Sequence, residues 1–229
     1  MTPADREHYA TNGYVVLRGV VDPADLEALE GAFEHYAADH DFTDDYPVEG
    51  PMHSPEFAEW LTGLSSVQLA MLYERMKLSQ NLKAFSELPE LIKAAYTLFD
   101  CNVTSKAIRF RMDQPHSTRH LAVWHQDHAY VGGSTDTVTA WVPLQDTPWE
   151  MGPLLIVPGS HHLALKHIDG PIGRKVAWPL GGANTREQII GMPMRRGDVL
   201  LFHSLLLHSG QVNLSDRVRY SVQVRYEPL

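Results

Sequence analysis

The spacing of hydrophobic residues changes character about halfway along the chain. In the first hundred residues apolar side chains recur at intervals of three and four, the period of a helix packed on one side. Asp22 and Pro23 supply an N-cap and a first-turn proline ahead of Leu26, Leu29, Phe33 and Tyr36, which predicts a helix over 23–38. Ser54, Pro55 and Glu56 repeat that opening and predict a second helix over 55–76, interrupted at Gly63; a third is expected over 89–99. Between Gly13 and Gly19 a short run containing Val15 and Val16 reads as a strand feeding the first helix. Residues 39–54 hold five acidic side chains, two prolines and a glycine without any period, and read as a loop.

From about residue 105, Val, Ile, Thr and aromatic residues come in short runs separated by Gly, Pro and Asp. Strands are predicted over 105–112, 121–124, 137–144, 154–157, 199–202 and 217–226. Residues 195–198 read as a turn, and 169–187, with four Gly and two Pro, as a long crossing loop. Several strands without helices between them predict antiparallel pairing instead of a βαβ sheet.

Composition narrows the classes. A chain of 229 residues has room for one sizeable core. A formal net charge of -9 sets the protein's field against nucleic-acid phosphates, so no nucleic-acid partner is expected. Cys101 stands alone, which excludes an intramolecular disulfide and a multi-cysteine zinc site and fits a reducing compartment. With a polar opening and no apolar run of bilayer length, a cytoplasmic protein without a membrane partner is expected. Thirteen His are more than a core needs, and their placement decides what they do.

His125 and Asp127 follow the run at 121–124, where extended backbone would turn both side chains toward one point. Such a pair is common by chance. His208 follows Leu205, Leu206 and Leu207 and completes two imidazoles and one carboxylate, the set that leaves positions open on Fe(II). Taken alone, His208 reads by default as a hydrogen-bonded core histidine. Arg219, Ser221, Gln223 and Arg225 alternate with Tyr220, Val222, Val224 and Tyr226, so the last strand turns a polar face to either solvent or a polar cavity. Arg109, Arg111 and Asp113 form a similar face, read as a cavity border or as a surface ion pair.

In order along the chain, His125-x-Asp127, Gly152-Pro153-Leu154, Pro158-Gly159-Ser160-His161, Gly197-Asp198, and His208 with Asn213, Ser215 and Arg219 resemble the phytanoyl-CoA dioxygenase family of Fe(II)/2-oxoglutarate oxygenases. The resemblance implies a mainly β fold with N-terminal helices, a double-stranded β-helix or cupin-like jelly-roll barrel. It is expected as a single domain over 1–229, with helical support and a candidate lid in 1–104 and the metal-bearing core in 105–229. The resemblance further implies Fe(II) held by His125, Asp127 and His208, with 2-oxoglutarate and O2 as cosubstrates, and hydroxylation or another oxidation of a small organic molecule. Arg219 stands where the family keeps the arginine that pairs with the distal carboxylate of 2-oxoglutarate; Arg217 is its rival. A guanidinium meets a carboxylate through two hydrogen bonds, which lysine does not reproduce.

Trp141 resembles the aromatic beside the site in family members, or is a core tryptophan. Many members carry a hydroxyl two positions after the distal histidine, where this chain has Gly210, and Ser209 is the candidate substitute. His128, Tyr130, Arg111 and Gln223 are the candidate substrate contacts, whereas His161, His162 and His203 read as structural.

Three other readings fit parts of the pattern. A halogenase of the same superfamily needs a vacant iron position, which Asp127 fills. A Zn-dependent hydrolase or isomerase on the same barrel leaves Arg219 no cosubstrate to bind. A non-catalytic metal-binding jelly-roll protein keeps the ligands without turnover. The loop at 39–54 is a candidate lid. Acidic side chains facing an entrance there would favour a neutral or cationic substrate.

Overall fold

Prolines and capping side chains set where the helices begin. The computed structural model describes residues 1–39, 51–119, 121–132, 134–163, 166–168, 175–177 and 188–229. It opens with α1 (Pro3–Asn12), where the Thr2 hydroxyl accepts from the Asp5 amide and the Asp5 carboxylate accepts from the Thr2 amide. Gly13, at φ 78°, ends this helix and passes the chain to β1 (Tyr14–Leu17). Asp22 caps α2 (Pro23–Ala37), Ser54 caps α3 (Pro55–Gly63) and Ser65 caps α4 (Ser66–Leu78). The interruption expected at Gly63 is therefore a full break, because Leu64 is extended and Ser65 starts a new helix. α5 (Gln80–Ser86) and α6 (Pro89–Phe99) complete the N-terminal half. α1 and α5 escaped the periodicity argument because the first buries no residue and the second is only 7 residues long.

The second half consists of β2 (Val103–Asp113), α7 (His128–Val131), β3 (Val138–Pro143), β4 (Leu154–Ile156), β5 (Lys166–Ile168), β6 (Lys175–Ala177), β7 (Ile190–Met192), β8 (Val199–His203), β9 (His208–Ser209) and β10 (Arg219–Pro228). A five-stranded sheet runs β1-β8-β3-β10-β2, a smaller one runs β7-β4-β9, and β5 pairs with β6. All these pairings are antiparallel and the strand order crosses over repeatedly, which is the jelly-roll, a double-stranded β-helix. The N-terminal half is more than support, since β1 extends the large sheet with Tyr14 opposite Phe202 and Leu17 opposite Val199.

The helices cover one face of the large sheet. Phe33 of α2 lies 5.3 Å from both the Phe110 and Tyr220 rings, within a core that includes Val222, Val224 and Tyr226. A second cluster, with Trp141, Ile156, Leu200 and Phe202, fills the space toward the small sheet. The alternation of β10 thus sends its apolar residues to the helices, while Arg219, Ser221, Gln223 and Arg225 line a cavity on the opposite face. The polar face meets a cavity, and so does the face of β2 carrying Arg109, Arg111 and Asp113.

Some expectations need correction. Residues 121–124 are irregular where a strand was expected, and His125 joins β9 through one isolated bridge to His208. Most of the candidate lid, 40–50, lies outside the described residues, as does most of the loop at 169–187. The described end of the candidate lid packs on α2: the Met52 amide donates to the Glu34 carboxylate at 2.8 Å, and His53 Nε2 lies 2.9 Å from Glu30 Oε1. No helix among the described residues is long and apolar enough to cross a membrane.

The Gly152-Pro153-Leu154 motif has a steric cause. Gly152 sits at φ 70°, and a Cβ there would come within 2.7 Å of the Gln211 and Val212 carbonyl oxygens. This close approach clamps the start of β4 against the segment that follows His208. Gly152→Ala is expected to cost about 2 kcal/mol, read as a lower thermal unfolding midpoint. An unchanged midpoint would show that the turn tolerates a methyl group.

Candidate metal centre

His125 and His208 face each other across a single bridge, with His125 N donating to His208 O at 2.9 Å and His208 N to His125 O at 3.0 Å. The imidazole centroids are 4.1 Å apart. In each ring Nδ1 lies against the carbonyl two residues back, Val123 O at 2.7 Å and Leu206 O at 2.9 Å. A carbonyl only accepts, so Nδ1 carries the proton in both rings and Nε2 keeps its lone pair for a metal.

Asp127 joins them by a different route from the one expected. Its backbone is helical, φ -58° and ψ -36°, at the N-cap of α7, so the turn brings the carboxylate back to the rings where extended alternation was anticipated. Asp127 Oδ1 lies 3.6 Å from His125 Nε2 and 3.8 Å from His208 Nε2. The three candidate ligand atoms fall within 4.8 Å of one another, close enough to meet on one ion.

The carboxylate is held rigidly. Thr139 Oγ1 donates to Asp127 Oδ2 at 2.6 Å, Arg225 Nε donates to the same oxygen at 3.1 Å, and Arg225 Nη2 donates to Oδ1 at 3.2 Å. Complete burial alone would raise the Asp127 pKa, but Arg225, then the histidines, hold it well below the usual carboxylate range. Burial, then neighbouring His125, pushes His208 down to about 3, which keeps its ring in the neutral, metal-binding form.

Thr139 and Arg225, which hold Asp127, were not singled out in the sequence. Arg225 carried a signal, its place on the polar face of the last strand. Thr139 carried none, because every residue of β3 is buried and polar alternation is absent. Thr139→Val keeps the shape and removes the donor, and is expected to weaken metal binding by about 10- to 100-fold in a titration of apoprotein. Undiminished affinity would show that Arg225 alone orients the carboxylate.

The cluster opens into a cavity of about 560 Å³. Arg219, 3% exposed, donates from Nη2 to Asp113 Oδ2 at 2.8 Å, while its Nε and Nη1 are buried with no hydrogen-bond partner among the described residues. Ser221 Oγ, on the same strand face, is likewise buried without one. Burial favours a protonated Asp113, but Arg219 and then Arg111 keep its pKa low. Asn213 braces this corner: its Nδ2 donates to the Asp113 and Arg217 carbonyls at 3.0 and 2.6 Å, and its Oδ1 accepts from the Ser215 amide and hydroxyl. The brace delivers β10 with Arg219 directly opposite Asp113.

Of the other candidates, Trp141 is both core residue and cavity wall. Tyr130, Arg111 and Gln223 line the cavity; the Tyr130 ring stands edge-on to His125 at 5.2 Å, and Gln223 Oε1 accepts from Arg225 Nη2 at 2.9 Å. Ser209 does not reach the cavity, since its hydroxyl donates to the Ala122 carbonyl at 3.0 Å and neighbouring Gly210 forms the wall. His128 lies outside the wall, where its amide donates to Ser204 O. Arg217 precedes β10 with its side chain 50% exposed and 3.6 Å from Asp216, so it is not brought to the cavity. His203 packs 5.3 Å from His161, and burial pushes its pKa down to about 4, as befits a structural ring.

A family model described as phytanoyl-CoA dioxygenase matches residues 9–221. Among curated relatives, the 1-deoxypentalenic acid 11-beta-hydroxylase of Streptomyces exfoliatus is 33% identical over 117 residues, 47% of this chain and 41% of its own length. The chain also covers only 48% of the corresponding Streptomyces arenae protein, so it spans less than half of either relative. The peroxisomal phytanoyl-CoA dioxygenase of Homo sapiens is 22% identical, over 99% of this chain and 68% of its own length. Among solved structures, the non-heme alpha ketoglutarate dependent epimerase SnoN from nogalamycin biosynthesis superposes with TM-score 0.67 at 22% identity, covering 98% of this chain and 82% of its own. EctD from S. alaskensis gives TM-score 0.68 at 19% identity, with 100% and 77% covered. At these identities the structural likeness establishes the fold alone.

Proposed function

The chain belongs to the phytanoyl-CoA dioxygenase family, and from that premise we propose that it is a non-haem Fe(II)/2-oxoglutarate-dependent dioxygenase hydroxylating a small organic molecule. One observation carries this reading: a cavity that holds a three-ligand cluster also holds Arg219, whose buried Nε and Nη1 have no partner among the described residues. Leaving buried donors unsatisfied is costly, and a carboxylate satisfies two guanidinium N–H groups at once. A zinc hydrolase, or a barrel that binds metal without turnover, gives those donors no task.

The donor set fits the metal. His125 and His208 would hold iron as neutral imidazoles and Asp127 as a carboxylate, a set that suits Fe(II) with positions left open. With 2-oxoglutarate and O2, the bound iron supplies oxidation of a C–H bond, one oxygen atom going to the product and the other to succinate as CO2 leaves. Arg225 and Thr139 keep the Asp127 carboxylate turned to the metal. Arg219 takes the distal carboxylate of 2-oxoglutarate, and the Ser221 hydroxyl supplies the contact that Gly210 lacks. Trp141 and Leu154 give the cavity a dry wall on one side. The hydroxylase names of the first relatives favour hydroxylation over other oxidative outcomes.

The binding order is testable without turnover. Apoprotein titrated anaerobically with Fe(II) and then 2-oxoglutarate is expected to bind the second only after the first. Iron-loaded protein that fails to bind 2-oxoglutarate would sink the proposal.

A further inference from the structure

Resting on that reading, we propose that Arg109 is the substrate-recognition residue and that the substrate is an apolar molecule bearing a carboxylate. Among the described residues five cationic side chains line the cavity, Lys106, Arg109, Arg111, Arg219 and Arg225, against the carboxylates of Asp113 and Asp127. Four of the five are paired. Lys106 meets Glu227 at 3.0 Å, Arg111 and Arg219 share Asp113 at 2.9 and 2.8 Å, and Arg225 holds Asp127 at 3.1 Å. Arg109 has neither an ion pair nor a hydrogen bond from its side chain among the described residues. The side-chain amide oxygen of its cross-strand neighbour Gln223 accepts from Arg225 instead.

Among the described residues, and counting Glu227 with the wall, five cations face three carboxylates, a formal surplus of two positive charges. An iron dication and a 2-oxoglutarate dianion cancel each other, so loading the site leaves the surplus in place. Arg109 is the exposed member of the five; loss of part of its water shell, then Arg225 and Arg111, lowers its pKa, the mark of a guanidinium in a positive field. This contrasts with the chain as a whole, whose net charge is -9. An anion is therefore drawn to the cavity and not to the surface around it.

Position makes Arg109 a substrate contact and not a second cosubstrate anchor. On the cavity face of β2 it lies two residues from Ala107, which pairs with Arg225 beside the metal cluster, and four from Asp113, which pairs with Arg219. Two strand residues span roughly 7 Å, so Arg109 stands nearer the metal end than the Arg219 end. Leu121, Val123, Val131 and Ile108 give the same cavity an apolar lining, and about 560 Å³ is the size of a small-molecule site. The acidic residues of 39–54, which favoured a neutral or cationic substrate, lie outside the described residues except Asp39, which pairs with Arg75 at 2.7 Å. The described wall has the opposite sign.

The test uses protein loaded anaerobically with Fe(II) and 2-oxoglutarate, titrated calorimetrically with a panel of straight-chain and alicyclic carboxylic acids and the primary amides of the same skeletons. Acids are expected to bind at least tenfold more tightly than their amides. Arg109→Gln should abolish that preference, Arg109→Lys should restore part of it, and 2-oxoglutarate affinity should be unchanged in both. Binding confined to amides, no binding by any acid, or an acid preference surviving Arg109→Gln overturns the proposal. Failure of the wild type to bind iron or 2-oxoglutarate at the loading step overturns the dioxygenase reading instead, so the two failures are told apart.

Discussion

Replacing Asp127 with alanine is expected to abolish metal binding and to remove about 3 to 5 kcal/mol of stability together. The first loss follows from the ligand count: two neutral imidazoles alone hold Fe(II) poorly and lose the only anionic donor of the cluster. The second follows from Arg225, which is 7% exposed and takes its counter-charge from Asp127 through two hydrogen bonds. Removing one member of a buried pair strands the other charge away from water. A loss of that size is a large fraction of the 5 to 15 kcal/mol typical of a folded domain. Urea unfolding and metal analysis separate the two effects. In the double variant Asp127→Ala with Arg225→Leu, much of the stability should return and none of the metal. Full iron occupancy in Asp127→Ala would remove Asp127 from the ligand set, and unchanged stability would mean that Arg225 finds another partner.

Arg219→Ala should weaken 2-oxoglutarate binding by about 1.5 to 3 kcal/mol, the worth of a charge-assisted contact, roughly ten- to a hundredfold in Kd. Iron binding should be unaffected, because Arg219 touches Asp113 and not the cluster. Asp113 keeps Arg111 as a partner at 2.9 Å, so the variant should fold. Lysine at this position should recover little, since an ammonium cannot meet a carboxylate with two parallel bonds. Calorimetry on iron-loaded protein measures the effect directly. Equal affinity in Arg219→Ala and wild type would refute the anchor, and a loss confined to Arg217→Ala would transfer the role to that residue.

The contrast between Arg219 and Arg225 shows what a sequence of this kind discloses. That His125, Asp127 and His208 come together, and that Arg219 lines the same cavity, was legible because the family spacing is strict and the chemistry admits few residue types. Cap and proline signals likewise placed α2, α3 and α6, and the period-two alternation of β10 separated its polar from its apolar face. The clamp on Asp127 was not legible, because Arg225 lies 98 positions away along the chain and Thr139 sits in a strand buried throughout. Such a contact depends on the register of β10 against β3 and on the bend into α7, which local pattern does not encode. Ser209 was misplaced for a related reason: adjacent residues in a short strand face opposite ways, so the neighbour of a ligand is turned from the site. Residues 121–124 read as a strand from composition alone, yet they are irregular, and His125 is tied to β9 through an isolated bridge to His208. Tertiary contacts there override β propensity.

The proposed function has iron and 2-oxoglutarate acting together in this cavity. It is tested most directly by 2-oxoglutarate consumption under O2 in apoprotein reconstituted with Fe(II) or with Zn(II), in the presence of the carboxylic-acid panel. Succinate and CO2 formed in equal amounts with Fe(II), raised by a bound acid and absent with Zn(II) or in His208→Ala, is the predicted result. Turnover of a panel member supported by Zn(II) without 2-oxoglutarate, and not by Fe(II) with it, would contradict the account.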